Sequence, residues 1–104
     1  MYDEALAGEI REALAGLDVV AEEKRMFGGL AFLVGGHMAI AASGKGGLMV
    51  RCDPAETDAL LREPGASAFV MRGKEMRGWL RVEAEDVAPW ASRGVAYARS
   101  LPPK

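Results

Sequence analysis

The sequence predicts a two-layer α+β domain, in which helices pack on one face of an antiparallel five-stranded sheet. Three short apolar segments, residues 30–34, 38–42 and 48–52, follow one another with only glycine-containing turns between them. Connections this short require antiparallel pairing. Apolar residues at helical spacing occur before and after the strand segments, so helices are available to cover the sheet. The predicted order of elements is α-β-β-β-α-β-β-α.

The first helix is predicted to begin after Asp3 and to end near Gly16. Asp3 is a suitable N-cap, because an aspartate side chain accepts hydrogen bonds from the first amides of a helix. Apolar side chains then recur every three or four residues, at Leu6, Ile10, Leu14 and Leu17. This spacing places them on one helical face, which is expected to pack on the sheet.

The next three elements are predicted to be strands, because the apolar period changes to two. Leu30, Phe32 and Val34 point to the same side of the first strand. Residues 35–37 and 43–47 are rich in glycine and are expected to form hairpin turns. The three strands should therefore form a meander.

A short middle helix is predicted next, with Asp53 as its N-cap and Pro54 as its first residue. It should end before Pro64, because a proline disfavours helical backbone in the residue ahead of it. The remaining predicted elements are strands at residues 68–72 and 78–82 and a helix from about Asp86 to Pro102.

Composition and charge limit the classes of protein. The 104 residues are expected to form one domain, residues 1–104, because half of them are hydrophobic, which suffices for a core. Thirteen basic and fifteen acidic residues leave a net charge of −2, so nucleic acid is not expected as a direct ligand. No apolar stretch approaches the ~20 residues of a membrane span. A single cysteine and the absence of a signal-peptide pattern predict a cytoplasmic protein.

No catalytic, cofactor or metal site is predicted. Cys52 ends an apolar strand and is expected to be buried, the alternative being a catalytic pair with His37. His37 has no companion ligands at metal-binding spacing. Residues 44–47 lack the Lys-Ser/Thr ending of a phosphate-binding loop and are expected to form a turn. Gly28 and Gly29 are expected to allow a close approach between elements, the alternative being an anion cradle.

A basic segment lies late in the chain, with four cations and one carboxylate: Arg72, Lys74, Arg77, Arg81 and Glu75. We interpret it first as a solvated edge strand whose charges discourage pairing with other sheets. The alternative is a contact surface for an anion or an acidic partner.

The second face of the predicted sheet is expected to be partly uncovered. Its predicted residues are Ala31, Leu33, Ala39, Ala41, Met49 and Arg51, unless the helices cover this set and leave the alternate one open. Because most of the set is apolar, the face is expected to contact a partner or a second copy of the chain.

Several segments together resemble the N-terminal domain of the TfoX/Sxy family: Arg25-Met26-Phe27-Gly28-Gly29, Phe32, Gly36, Met38, Leu48-Met49-Val50-Arg51 and Gly78-Trp79-Leu80-Arg81-Val82. The resemblance covers nearly the whole chain. It implies a two-layer fold similar to that of type III secretion chaperones and a connection with bacterial regulators of natural DNA competence. The full regulators also carry a C-terminal domain, so the chain is expected to be a stand-alone form that ends at Lys104.

These observations predict a non-enzymatic regulatory domain that binds protein, itself included as a homodimer, through its sheet and an exposed strand. The residues predicted to form that surface are Arg25, Met26, Phe27, Gly28, Gly29, Arg51, Arg72 and Arg77. The first alternative is a nucleic-acid-associated regulator that uses the basic segment from Arg72 to Arg81. The second alternative is a small-molecule-binding protein or a small enzyme.

Overall fold

A computed structural model describes residues 2–26 and 28–103, and it has the α+β architecture that the sequence predicts. The elements follow the chain as α1 (Glu4–Gly16), β1 (Glu22–Met26), β2 (Gly29–Val34), β3 (His37–Ala42), β4 (Leu48–Arg51), a 3₁₀ turn (Pro54–Glu56), α2 (Thr57–Leu60), β5 (Ala66–Met71), β6 (Lys74–Val82) and α3 (Ala88–Ser100). Within these residues, no helix has the length and apolar character needed to cross a membrane.

The sheet has six strands, so the predicted number of five is wrong. The additional strand is β1, which pairs antiparallel with β2 from Glu22↔Leu33 to Met26↔Gly29. Its first four residues are charged and exposed, so the strand has no apolar alternation from which the sequence could reveal it. Its partner β2 is apolar, and the pairing with β2 makes this segment a strand.

The strands lie in the order β1-β2-β3-β4-β6-β5, and all pairs are antiparallel. The two strand groups join where β4 pairs with β6, from Leu48↔Val82 to Arg51↔Trp79. They therefore form one open sheet across the middle helix, with β1 and β5 at its two edges.

The main core lies between the helices and one face of the sheet. α1 contributes Ala7, Ile10 and Leu14, and the sheet contributes residues such as Phe32 and Val50. α3 contributes a further buried stripe: Trp90, Ala91, Val95 and Ala98. The opposite face has a separate, smaller cluster built from strand residues, Ala31, Met38, Ala41 and Met49. We call these two surfaces the helix side and the open side of the sheet.

Helix α1 and the 3₁₀ turn begin at side-chain caps that the sequence predicts. The Asp3 carboxylate accepts hydrogen bonds from Ala5 N at 2.9 Å and Leu6 N at 3.2 Å. Asp53 accepts one from Ala55 N at 2.9 Å at the start of the 3₁₀ turn. These bonds satisfy amides that a helix or turn leaves without an internal acceptor.

An ion pair attaches β1 to α1. The Arg11 guanidinium donates two hydrogen bonds of 2.8 Å to the Glu23 carboxylate. These bonds hold the pKa of Glu23 below its ordinary value and raise the pKa of Arg11. The pair is exposed, so it orients the edge strand more than it stabilises the fold.

A bulge in β3 moves one predicted residue to the other side of the sheet. The pairing passes from Phe32↔Ile40 to Leu33↔Met38, which leaves Ala39 without a partner residue on β2. Ala39 therefore belongs to the helix-side core, and its predicted place on the uncovered face is wrong. The bulge allows α3 to come close at Gly94, where a Cβ atom would lie 2.2 Å from the Ala39 carbonyl oxygen.

Candidate functional site

A groove runs along the open side of the sheet, with a volume of about 450 Å³. Met26 and Gly29 line it from the β1–β2 end of the sheet, and residues 68–72 line it from β5 at the opposite edge. Residues from both edges can line one cavity only if the sheet curls around it. We call this cavity the sheet groove.

The floor of the sheet groove is apolar. Ala41 and Met49 line it and belong to the buried cluster on the open side of the sheet. Phe69 of β5 packs against the same cluster and lies beside Trp79, with 6.5 Å between the ring centroids. Small alanine side chains leave space that larger residues would fill, so this face is concave.

The charged residues that line the sheet groove, within the described part of the chain, are all basic: Lys45, Arg72 and Arg81. Arg81 also donates a hydrogen bond from Nη2 to the Lys45 carbonyl oxygen at 3.2 Å, which attaches the β3–β4 loop to β6. The chain as a whole has a net charge of −2. The groove is therefore a local concentration of positive charge on an acidic domain, and its field favours acidic ligands.

Glycines close one end of the groove by allowing backbone to approach backbone. A Cβ atom on Gly29 would lie 2.2 Å from the Ala42 carbonyl oxygen, and one on Gly44 would lie 2.5 Å from the Gly28 carbonyl oxygen. Side chains at either position would separate β2 from the β3–β4 loop. Gly28 also has a φ of +74°, which favours glycine at this turn.

The structure brings three of the eight predicted surface residues to the sheet groove: Met26, Gly29 and Arg72. Gly28 lies in the adjacent turn, and Phe27 lies outside the described residues. Arg25 is exposed on β1 and pairs with Leu30, a helix-side core residue, so it projects to the helix side.

The other two predicted arginines have partners away from the groove. Arg51 lies over the rings of Trp79 and Tyr97, at 4.9 and 5.5 Å from the centroids, and is half-buried. Arg77 donates hydrogen bonds to Asp58 at 3.2 Å and to the Pro54 carbonyl oxygen at 3.1 Å, which attaches β6 to the α2 region. These contacts give both side chains a structural role.

The basic segment is divided between different surfaces. Arg72 and Lys74 lie at the β5–β6 turn, Arg77 contacts Asp58, and Arg81 lines the sheet groove. A long bulge in β6 produces this division, because residues on the two sides of it no longer share one alternation. The sequence indicates a basic cluster but not this distribution.

Sequence reasoning missed the contributions of Lys45, Phe69 and Met71 to the groove. Lys45 lies in a hairpin turn, and the two apolar residues lie in β5. The available signal was the composition of β5, whose six residues, Ala66–Met71, include no charge although the strand lies at an edge. An uncharged edge strand is unusual in a domain that does not use it for contact.

The two residues considered for nucleophilic chemistry have separate environments. Cys52 is buried, its Sγ atom lies 3.8 Å from Thr57 Oγ1, and burial raises the pKa of the thiol. His37 forms a hydrogen bond between Nε2 and the Pro102 carbonyl oxygen at 2.6 Å. Among the residues that the structure describes, no group of three or more His, Cys, Asp and Glu side chains is placed to hold a metal ion.

Comparison with known proteins gives one match. The family model described as TfoX N-terminal domain matches residues 12–98, which confirms the resemblance that the sequence motifs indicate. No curated protein and no solved structure matches the chain. The similarity to type III secretion chaperones therefore stays a prediction.

Proposed function

The chain belongs to the TfoX N-terminal domain family, and on that basis we propose that it is a non-enzymatic regulatory domain that binds a protein partner in the sheet groove. The proposal places this interaction in the cytoplasm, the compartment that the single cysteine predicts. A role in competence or transcription regulation would then be exerted through the bound partner.

One observation carries the proposal: the groove has an apolar floor on a sheet face against which none of the described helices packs. The residues that line the groove are more exposed at the β5 edge, where Met71 is 37% and Val70 is 56% exposed, than at the floor, where Met49 is 7% exposed. Apolar surface of this kind on a concave face is typical of interaction sites. Helices α1 and α3 already cover the helix side, so the open side is the surface available to a partner.

The chemistry of the lining supports binding as its role. Methionine side chains adapt their shape to different apolar partners, and Met26, Met49 and Met71 all line the groove. The described lining residues place neither a histidine nor a carboxylate beside the Ser43 hydroxyl, and the backbone amide of Lys45 donates a hydrogen bond to Ser43 Oγ at 3.2 Å, which holds that hydroxyl in the turn. We therefore assign the groove to recognition.

Photo-crosslinking in the native host tests this proposal. A photoreactive amino acid is placed at Met71 or Lys45, two groove positions, and at Val20, a control position that is 96% exposed and lies before β1. We expect a discrete protein adduct from both groove positions and none from Val20, with the adduct identified by mass spectrometry.

The proposal fails if all three positions give the same adducts, or if none gives an adduct. Nucleic acid as the crosslinked species would also contradict it and would support the alternative of a nucleic-acid-associated regulator. An adduct with a second copy of the chain would support the homodimer, provided that a groove substitution such as Met49→Glu removes it.

A further inference from the structure

Resting on the proposed function, we propose that the partner presents an extended acidic segment, which pairs with the outer edge of β5 as a seventh strand and places apolar side chains in the sheet groove.

The two edges of the sheet differ in a way that selects β5. The β1 edge carries Glu22, Glu23, Lys24 and Arg25, and charged residues at an edge discourage strand addition. The β5 edge, Ala66–Met71, consists of small and apolar residues. An edge strand without this protection is a template for an added strand.

The β5 strand keeps a regular outer edge despite the bulge in its hairpin. Between the pairs Ala68↔Leu80 and Val70↔Glu75, β5 advances by two residues and β6 advances by five. The additional residues therefore belong to β6, which pairs with β4 on its other side from Trp79 to Val82. Because β5 does not carry the extra residues, an incoming strand meets an uninterrupted main chain.

Hydrogen bonding shows which main-chain groups of β5 face the open edge. Glu83 N donates to the Gly65 carbonyl oxygen at 2.9 Å, so the main chain of Gly65 points toward β6. The alternation of an antiparallel ladder then directs the main chain of Ala66 and Ala68 outward. Ala66 N already donates to the Glu63 carbonyl oxygen at 3.1 Å. Ala68 therefore presents the amide that an added strand would use.

The charge of the groove selects the acidic character of the segment. Lys45, Arg72 and Arg81 line the groove that begins at β5, and the described lining residues include no carboxylate. Carboxylates on an added strand would form charge-assisted hydrogen bonds with these cations, whereas a basic segment would be repelled. Every second side chain of an extended segment points to the same side, so the acidic and the apolar residues that contact the groove must occupy alternate positions on one face of the segment.

Fluorescence anisotropy with defined peptides tests the inference on the full chain. The probe is a fluorescein-labelled peptide of about eight residues, long enough to form a strand. Every second residue is serine, and the positions between are valine and glutamate in turn, so that both residue types lie on one face. The matched control has lysine in place of glutamate. Two further acidic peptides are N-methylated at alternate residues, one at the odd and one at the even positions. We expect the acidic peptide to bind about tenfold tighter than the basic one, to weaken with salt, and to lose binding on N-methylation.

Four variants, two of them controls, assign the binding to residues. Ala68→Pro removes the outward amide without removing a β5–β6 hydrogen bond, so it should abolish binding, and Ala68→Val should retain it. Arg72→Gln should weaken the binding of the acidic peptide about tenfold and should not weaken that of the basic one, because it removes a cation that repels the basic peptide. The control for Arg72→Gln is Arg62→Gln, because Arg62 is exposed and lies outside the groove lining. If Ala68→Pro fails to fold in a melting experiment, the N-methylated peptides supply the same test.

Equal binding of the acidic and basic peptides, or full binding by folded Ala68→Pro, would overturn the inference. The inference would also be overturned if oleate displaced the acidic peptide and N-methylation of the peptide did not reduce its binding. The groove would then be a site for small amphiphilic anions. A wild-type dimer that Ala68→Pro dissociates, without peptide binding, would assign the edge to a second copy. Groove crosslinks without peptide binding would leave the proposed function intact and refute this inference alone.

Discussion

Replacing Gly94 with alanine tests how α3 is seated on the sheet. The new Cβ atom would lie 2.2 Å from the Ala39 carbonyl oxygen and 2.9 Å from its carbon, and both are backbone atoms that cannot rotate away. Ordinary contact begins near 3.4 Å, so α3 would have to move away by about 1.2 Å. This movement would loosen the buried contacts of Trp90 and Val95.

The expected cost follows from two opposing terms. Overpacking a core costs about 1–3 kcal/mol, and alanine returns up to ~1 kcal/mol of helix propensity relative to glycine. Because both contacted atoms are backbone, the overpacking cost is taken from the upper part of its range, about 2–3 kcal/mol. The net loss of about 1–2 kcal/mol corresponds to a fall in Tm of roughly 5–15 °C for a domain of this size. Circular dichroism follows the melting, and urea unfolding monitored by the fluorescence of Trp79 and Trp90 checks the free energy.

Gly8→Ala is the matched control. Gly8 lies inside α1, and outside its chain neighbours and the backbone of the helix itself no atom lies within 4 Å of the Cβ position that alanine would add. The propensity term acts alone there, so the free energy of unfolding should rise by up to ~1 kcal/mol. If Gly94→Ala melted at or above the wild-type temperature, the close packing of α3 on the β3 bulge would be refuted.

Further predictions concern hydrogen bonds and the buried thiol. Thr57→Val should lower the free energy of unfolding by about 1–3 kcal/mol, because Gly78 N donates to Thr57 Oγ1 at 2.8 Å and would lose its acceptor. Thr57→Ser should retain most of that stability, and equal urea midpoints for the two variants would contradict the assignment. Cys52 should react with a disulfide reagent at neutral pH only after unfolding, because burial raises its pKa. The buried neutral thiol contributes stability below the ordinary thiol pKa, and this contribution is lost as pH rises through the raised pKa. A Cys52→Ala variant should therefore lose less stability than the wild type at alkaline pH, and identical pH profiles of the two proteins would argue against this account. Asp3→Ala should cost about 1 kcal/mol through loss of the α1 cap, and Asp3→Asn should cost less, both measured by urea unfolding; equal losses in the two variants would count against capping.

Much of the fold could be predicted from local patterns. Asp3 and Asp53 mark the starts of helical segments, because capping requires a particular side chain within a few residues of the amides it satisfies. The period of two in β2 and β3 and the turns between them also depend on near neighbours. The family match follows from such motifs.

The candidate site was harder to predict because its parts meet through the sheet. β1 has no pattern of its own, and its pairing with β2 makes it a strand. Met26 and Arg72 line one groove although they are far apart in sequence, whereas Arg77, close to Arg72 in sequence, contacts Asp58. No local spacing encodes these relations.

The sequence by itself determined the α+β class, the caps, most of the strands and the family, since each depends on residues a few positions apart. The tertiary structure decided the sixth strand, the position of Ala39, the distribution of the basic residues and the existence of the sheet groove. The physical reason is that strand pairing and sheet curvature are non-local. The β4–β6 pairing and the curl of the sheet place residues from β1, β2 and β5 around one cavity, and a single bulge changes the side to which a residue points.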